Sequence, residues 1–331
     1  MPINYFFNGS IINNYYDCSF KPYQLHESMK RPNLSVGIVY IILSLVFIII
    51  YLPFLLAMRR NVFMKHSYYK LQFMIGCINV IFLVVHGICS GVLALEGSFY
   101  CVQPELIFVL GSVSVGLWGA YSITIIILAF NRCLSIYDGQ LTYQMFGKKK
   151  AWYWMSGPVL YFIGLTAFTH PLIFSTKHKT WLFNPFTEYP KIKTGLESDI
   201  NVVFLFNNYA VIVSITFIYG FFYIIGVMKR SIRHEKATKE TSYSRQSFNQ
   251  TALMALILTS SCFFLLFTHF QHHHQLYVTH EIVFICSNGL PSILFHFFAK
   301  QLKSKFSTLI TYNPKVKLIT LSSNFKVKTI A

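Results

Sequence analysis

The chain has 331 residues, 54% of them hydrophobic and 12% charged, with a formal net charge of +17. Soluble domains carry about 25% charged residues, so this chain has too few to cover a water-facing surface. The basic residues are set out by topology, which excludes reading the charge as a nucleic-acid footprint.

Met1–Ser10 has no basic stretch leading into an apolar one, so no cleaved signal peptide is expected. Seven runs of 18 or more residues then lack Asp, Glu, Lys and Arg: Leu34–Met58, Leu71–Leu95, Leu106–Phe130, Ala151–Phe174, Asn201–Met228, Thr251–Phe270 and Ile282–Ala299. An apolar helix of about 20 residues crosses the hydrocarbon core of a bilayer. Without water partners, each run must close its own backbone hydrogen bonds as a helix. The expected fold is all-α, a seven-transmembrane helix bundle over 34–299. It follows an outer tail, 1–33, and precedes a cytoplasmic tail, 300–331. Pro53, Pro158, Pro171 and Pro291 are expected inside helices.

The segments between the runs separate by charge. Residues 59–70, 131–150, 229–250 and 300–331 hold 21 basic against 3 acidic residues; the N-terminal tail and 96–105, 175–200 and 271–281 hold 7 against 8. Cytoplasmic segments carry the Lys/Arg excess, which puts the N-terminus outside. Asn8-Gly-Ser lies in that tail and is the expected glycosylation acceptor. Cys18 and Cys101 are the two cysteines clearly outside; a bridge between them would pin the tail to the third helix, the alternative being two unpaired thiols. After the seventh run, Leu302, Phe306, Leu309 and Ile310 share one face and Lys300 and Lys303 another, the pattern of a short amphipathic helix on the membrane surface.

Enzyme readings find no support. No run contains a carboxylate, which leaves no intramembrane acid dyad, and there is no His-Glu-x-x-His. The seventh run has no Lys for a retinal Schiff base, so no cofactor is expected. His269, His272, His273, His274 and His280 cluster after the sixth run; adjacent histidines point different ways and chelate one ion poorly, so a solvated loop is the reading taken over a metal or pH site. His86 and His296 are read as neutral groups bonded to neighbouring helices.

Asn131-Arg132-Cys133 closes the third run, and Asn288-Gly-Leu-Pro291 sits in the seventh, where an amide, a glycine and a kink suit a hinge. Tyr16-Asp-Cys18, Tyr51-Leu-Pro53, Tyr68-Tyr-Lys70, Cys101-Val-Gln-Pro104, Trp118 and Phe183-Asn-Pro185 complete a set spread over most of the chain. Together these residues resemble the nematode serpentine receptor class T chemoreceptors, within the rhodopsin-like G-protein-coupled receptors. The resemblance implies a plasma-membrane receptor of sensory neurons for a small, apolar or volatile ligand, coupled to a heterotrimeric G protein. It implies a ligand site in the outer half of the bundle, with Trp118, Asn207, Asn208, Tyr209, Phe267, His269, Tyr277 and Glu281 as candidates. It implies switch roles for Asn131, Arg132, Asn288, Pro291 and Asn79. Asn131 and Asn79 stand where relatives often carry acids, so Arg132 has no charged lock and a core sodium ion would bind poorly. The rival reading is a small-molecule transporter or channel.

Overall fold

The computed structural model describes residues 30–59, 61–183, 201–232, 239–270 and 274–310. Among the described residues, seven long helices form one bundle: α1 Leu34–Met58, α2 Ser67–Glu96, α3 Pro104–Tyr137, α4 Lys150–Phe168, α5 Val202–Ile232, α6 Lys239–Phe270 and α7 His274–Ile310. A single turn, Asn61–Met64, precedes α2, and a short helix, Gly139–Phe146, precedes α4. Strands β1 Ile173–Ser175 and β2 Thr180–Leu182 pair antiparallel between α4 and α5, with Phe174 opposite Trp181. The hairpin covers one end of the bundle; Arg132 marks the other.

Among the described residues, six helices are long and apolar enough to cross a membrane. α4 is the seventh of the bundle. Its Trp152, Tyr153, Trp154 and Tyr161 carry polar ring atoms, which lower its hydropathy. Even so, it packs along α3 and turns Leu160, Ile163 and Phe168 outward. Similar outward apolar faces run along α1 (Leu34, Ile42, Ile49, Leu56) and α5 (Val213, Phe217, Ile224). Apolar exposure on this scale marks a surface covered by something other than water, and here that is lipid. The chain is a multi-pass membrane protein.

Local chemistry sets the helix ends. The Asn33 side chain accepts from the Val36 amide at 3.0 Å and caps α1. Pro104 opens α3 with Glu105 in its first turn, where a negative charge suits the helix dipole. Asn201 accepts from the Phe204 amide at 3.0 Å at the start of α5, and its amide donates to the His170 carbonyl at 3.1 Å. α3 is the central post, and most of its length is buried.

Small residues let neighbours close on it and on one another. A Cβ at Gly111 would fall 1.6 Å from the Leu172 carbonyl oxygen of the hairpin approach, and one at Gly116 would fall 2.8 Å from the Phe162 carbonyl oxygen of α4. α1 and α2 cross at Gly37 and Gly91, and a Cβ on Gly87 would meet Ser44 Oγ at 1.5 Å.

Four expectations need correction. α4 ends at Phe168, so Pro171 lies in the connection to β1 rather than in a helix. The segment 175–200 is expected as a loop between two spans, yet its start belongs to the hairpin that begins at Ile173. The span of α7 begins before Ile282: Glu281 lies inside the helix and inside its apolar stretch Leu276–Phe295. Residues 300–310 are helical and continue α7 without a break, where a separate surface helix is expected from the sequence.

Candidate functional site

Midway along α2 the helix widens into a π-helical segment, Leu83–Cys89. Such segments admit one extra residue per turn and recur at functional sites. This one carries His86, buried against α7. His86 Nδ1 lies 2.8 Å from Glu281 Oε1, and Glu281 is 0% exposed. The second carboxylate oxygen accepts from the Thr180 hydroxyl of β2 at 2.6 Å. Next to Thr180, Trp181 Nε1 donates to Ser90 Oγ of α2 at 2.7 Å. The hairpin thus reaches down between α2 and α7 and binds both.

The expectation that no carboxylate sits within the bundle is corrected by this contact. Glu281, which the charge-free runs leave in the segment 271–281 between two spans, faces the interior, where His86 and Thr180 satisfy it. A charge is tolerated there only when paired and hydrogen-bonded.

An aromatic shell adjoins the pair. The His86 ring lies 4.4 Å from Phe284, 5.7 Å from Phe82 and 5.9 Å from Trp181, centroid to centroid. Phe284 is 5.5 Å from Trp118 on α3, which lies 6.4 Å from both Phe82 and Phe204. Trp118 Nε1 donates to Asn208 Oδ1 of α5 at 2.7 Å. Asn207 donates to Ser122 Oγ and accepts from Tyr161 OH, both at 3.3 Å.

Of the expected ligand residues, Trp118, Asn208 and Glu281 share this shell, and Asn207 borders it. Tyr277 is nearer the rim, 4.5 Å from the His178 ring of the hairpin turn. Tyr209 points outward and is 48% exposed, so it joins none of them. Phe267 and His269 lie in the last turns of α6; their side chains fall outside the described ones. Nothing in the sequence marked Thr180, Trp181 or Phe284, whose neighbours are distant in the chain.

The hairpin turn holds a cation of its own. Lys179 adopts a left-handed backbone, φ 59°. Its ammonium donates to the Arg31 and Thr176 carbonyls, and its own carbonyl accepts from Tyr40 OH at 3.1 Å. Burial, helped by the Arg31 charge, lowers the Lys179 pKa to about 8. Cys101 is disulfide-bonded, while Cys77, Cys89, Cys133, Cys262 and Cys286 are free. Cys18, its expected partner, and Asn8 lie outside the described residues. Among the described residues, no cluster of three or more His, Cys, Asp or Glu could hold a metal. Of the His-rich run, His280 is near Thr180 at 3.5 Å, and 271–273 are not described.

At the opposite end, Asn131 Oδ1 accepts from Arg132 Nε at 3.1 Å and from its terminal nitrogen at 2.6 Å. Asn131 Nδ2 donates to Ser67 Oγ at 3.1 Å. The guanidinium lies 4.2 Å over the Tyr68 ring, a cation–π contact. Tyr68 OH donates to Gln250 Oε1 of α6 at 2.7 Å and accepts from Gln72 at 2.6 Å. A chain of contacts through Arg132, Tyr68 and Gln250 therefore joins α3, α2 and α6. Deeper in, Asn79 donates to Tyr51 OH at 2.8 Å, and Tyr51 OH donates to the Asn288 carbonyl at 3.1 Å, tying α2, α1 and α7 one turn before Pro291.

No curated protein matches the chain. The family model of the serpentine type 7TM GPCR chemoreceptor Srt matches residues 1–318. The chain belongs to the Srt family of serpentine seven-transmembrane chemoreceptors.

Proposed function

We propose that this chemoreceptor detects a small, largely apolar ligand among α2, α3, α5 and α7 beneath the hairpin, and signals through a heterotrimeric G protein at the Arg132 end. The observation that carries the reading is the Trp118 shell. One indole on the central helix bonds Asn208 of α5 and packs on Phe82 of α2 and Phe284 of α7. A ligand wedged there touches three helices at once. It acts only through its differential affinity for two arrangements of the bundle.

The hairpin end faces outside and the C-terminus inside, from the Lys/Arg excess of the segments at the Arg132 end. The location is the plasma membrane of a sensory cell. At the Arg132 end the contacts include guanidinium hydrogen bonds to the Asn131 amide, a cation–π contact and neutral hydrogen bonds of Tyr68. These are weak enough for ligand binding to break, which frees α6 to move and exposes the basic end of α5 and α6, including Lys229, Arg230 and Arg245, to the G protein.

One observation favours a transporter: ionisable residues inside a membrane mark substrate and proton routes, and His86–Glu281 is such a pair. Odorant-evoked second-messenger changes, measured beside substrate flux in cells expressing the chain, separate the readings. A messenger response without flux supports the receptor; flux without a response overturns it.

A further inference from the structure

The chemistry of the ligand follows from which edge of His86 is free, and this inference rests on the receptor reading above. Nδ1 is committed to Glu281, whose other oxygen is committed to Thr180. The opposite ring atom, Nε2, is buried with no hydrogen-bond partner, and the ring itself is flanked by Phe82, Phe284 and Trp181. Buried polar atoms are nearly always paired, so an orphan inside the aromatic shell points to a group that arrives from elsewhere.

The pair has two charge-balanced forms. In one, imidazolium faces carboxylate, and both ring nitrogens carry hydrogen. In the other, a neutral carboxylic acid donates to Nδ1, which leaves the single ring hydrogen on Nε2. Nε2 is a donor in both. It becomes an acceptor only if a neutral imidazole faces a carboxylate, which leaves a net negative charge among aromatic rings. In both charge-balanced forms the free edge of His86 is an N–H seeking an acceptor.

We propose that His86 Nε2–H anchors a carbonyl oxygen, and that this receptor's ligands are small ketones, aldehydes or esters whose hydrocarbon part lies on Trp118, Phe82 and Phe284. A carbonyl brings acceptors only, so it satisfies the N–H and adds no unmet donor. An alcohol adds a hydroxyl hydrogen that the surrounding rings cannot accept well. An alkane leaves the N–H unmet. An ammonium group brings a donor to a donor.

The experiment uses the full-length chain, with surface delivery measured for every variant. Carbonyl compounds of graded chain length are compared with their matched alkanes, alcohols and amines. Messenger response is followed in cells, and the shift in unfolding midpoint is followed on purified receptor, since a ligand that binds only the native state raises it. At least one carbonyl compound should act at about tenfold lower concentration than its alkane, the scale of one hydrogen bond to a polarised donor. His86→Phe keeps a ring and removes the donor, and should bring the two to the same concentration. His86→Phe with Glu281→Leu, which strands no carboxylate, should do the same should the single variant fail to reach the surface. Equal potency of carbonyl and alkane in the wild type, a preference for amines, or no shift with any carbonyl overturns the inference. A response to hydrocarbons without a carbonyl preference overturns it while leaving the receptor reading intact. Flux without any messenger response overturns the receptor reading itself.

Discussion

Glu281 on α7 and His86 on α2 are hydrogen-bonded at 2.8 Å across the bundle, with both side chains buried and the carboxylate held from above by Thr180 of the hairpin. The contact ties three separate segments at the level where the Trp118 shell begins. Removing one member strands a buried ionisable group. Glu281→Leu or His86→Leu should each destabilise the purified receptor by about 3 kcal/mol, and the double variant should recover most of that. Thermal unfolding of the four proteins checks it; simple additivity of the two losses would show that the pair is not coupled.

The α1–α2 crossing depends on a missing side chain. A Cβ at Gly87 would sit 1.5 Å from Ser44 Oγ and 2.3 Å from Ser44 Cβ. Gly87→Ala should therefore cost about 2 kcal/mol, as overpacked cores do. Ser44→Gly in the same chain removes both clashing atoms and should restore stability. Fluorescence-detected melting of the two variants tests this; a Gly87→Ala melt equal to wild type would contradict the close approach.

The hairpin turn carries a pH dependence of known sign. The folded Lys179 pKa, about 8, lies below its ordinary value of 10.5. Between those values the unfolded chain binds more protons, so folding is favoured as pH rises. Below about 8 both states are protonated and the penalty for burying the ammonium is constant. Lys179→Met, which keeps most of the side-chain length and lacks the charge, should lose this dependence. The difference in melting temperature between wild type and variant, followed from pH 7 to 10, should shift toward the wild type as pH rises. A difference independent of pH would contradict the buried ammonium.

Arg132 bonds the Asn131 side chain and lies over Tyr68, whose hydroxyl makes the contact to α6. Tyr68→Phe keeps the ring under the guanidinium and removes the hydroxyl that reaches Gln250. One neutral hydrogen bond is worth about 1 kcal/mol, so ligand-free signalling should rise by about fivefold if that bond holds the resting arrangement. Gln250→Leu should raise it similarly, and the pair should not add. Basal messenger level at matched surface density is the readout; no rise in either variant would remove the latch role.

What the sequence made legible was set by local chemistry. Seven charge-free runs mark the spans because a bilayer excludes unpaired charge, and Asn131-Arg132 and Asn288-x-x-Pro291 are readable within a few residues. Glu281 was not legible, since counting charge-free residues cuts a span at its first carboxylate, whatever partner that group has. Its partner His86 is 195 positions away. The hairpin escaped for a related reason. Its strands have three residues each, too short to show alternation, and its turn, Thr176–Lys179, contains no glycine; Lys179 takes the left-handed conformation instead. Pro171 fell outside α4 because the charge-free run continues past the helix into the buried Ile173 and Phe174 of β1.

In the proposed function, ligand is read at the Trp118 shell and reported at Arg132. One dose–response series tests it: wild type, Asn208→Leu and Arg132→Ala, each at matched surface delivery, with an activating odorant. Asn208→Leu strands the Trp118 N–H and should raise the half-maximal concentration about tenfold or more while leaving the maximum near wild type. Arg132→Ala should lower the maximum with little change in the half-maximal concentration. An unchanged curve for Arg132→Ala, or a loss of maximum without a shift for Asn208→Leu, would contradict the division of labour between the two ends.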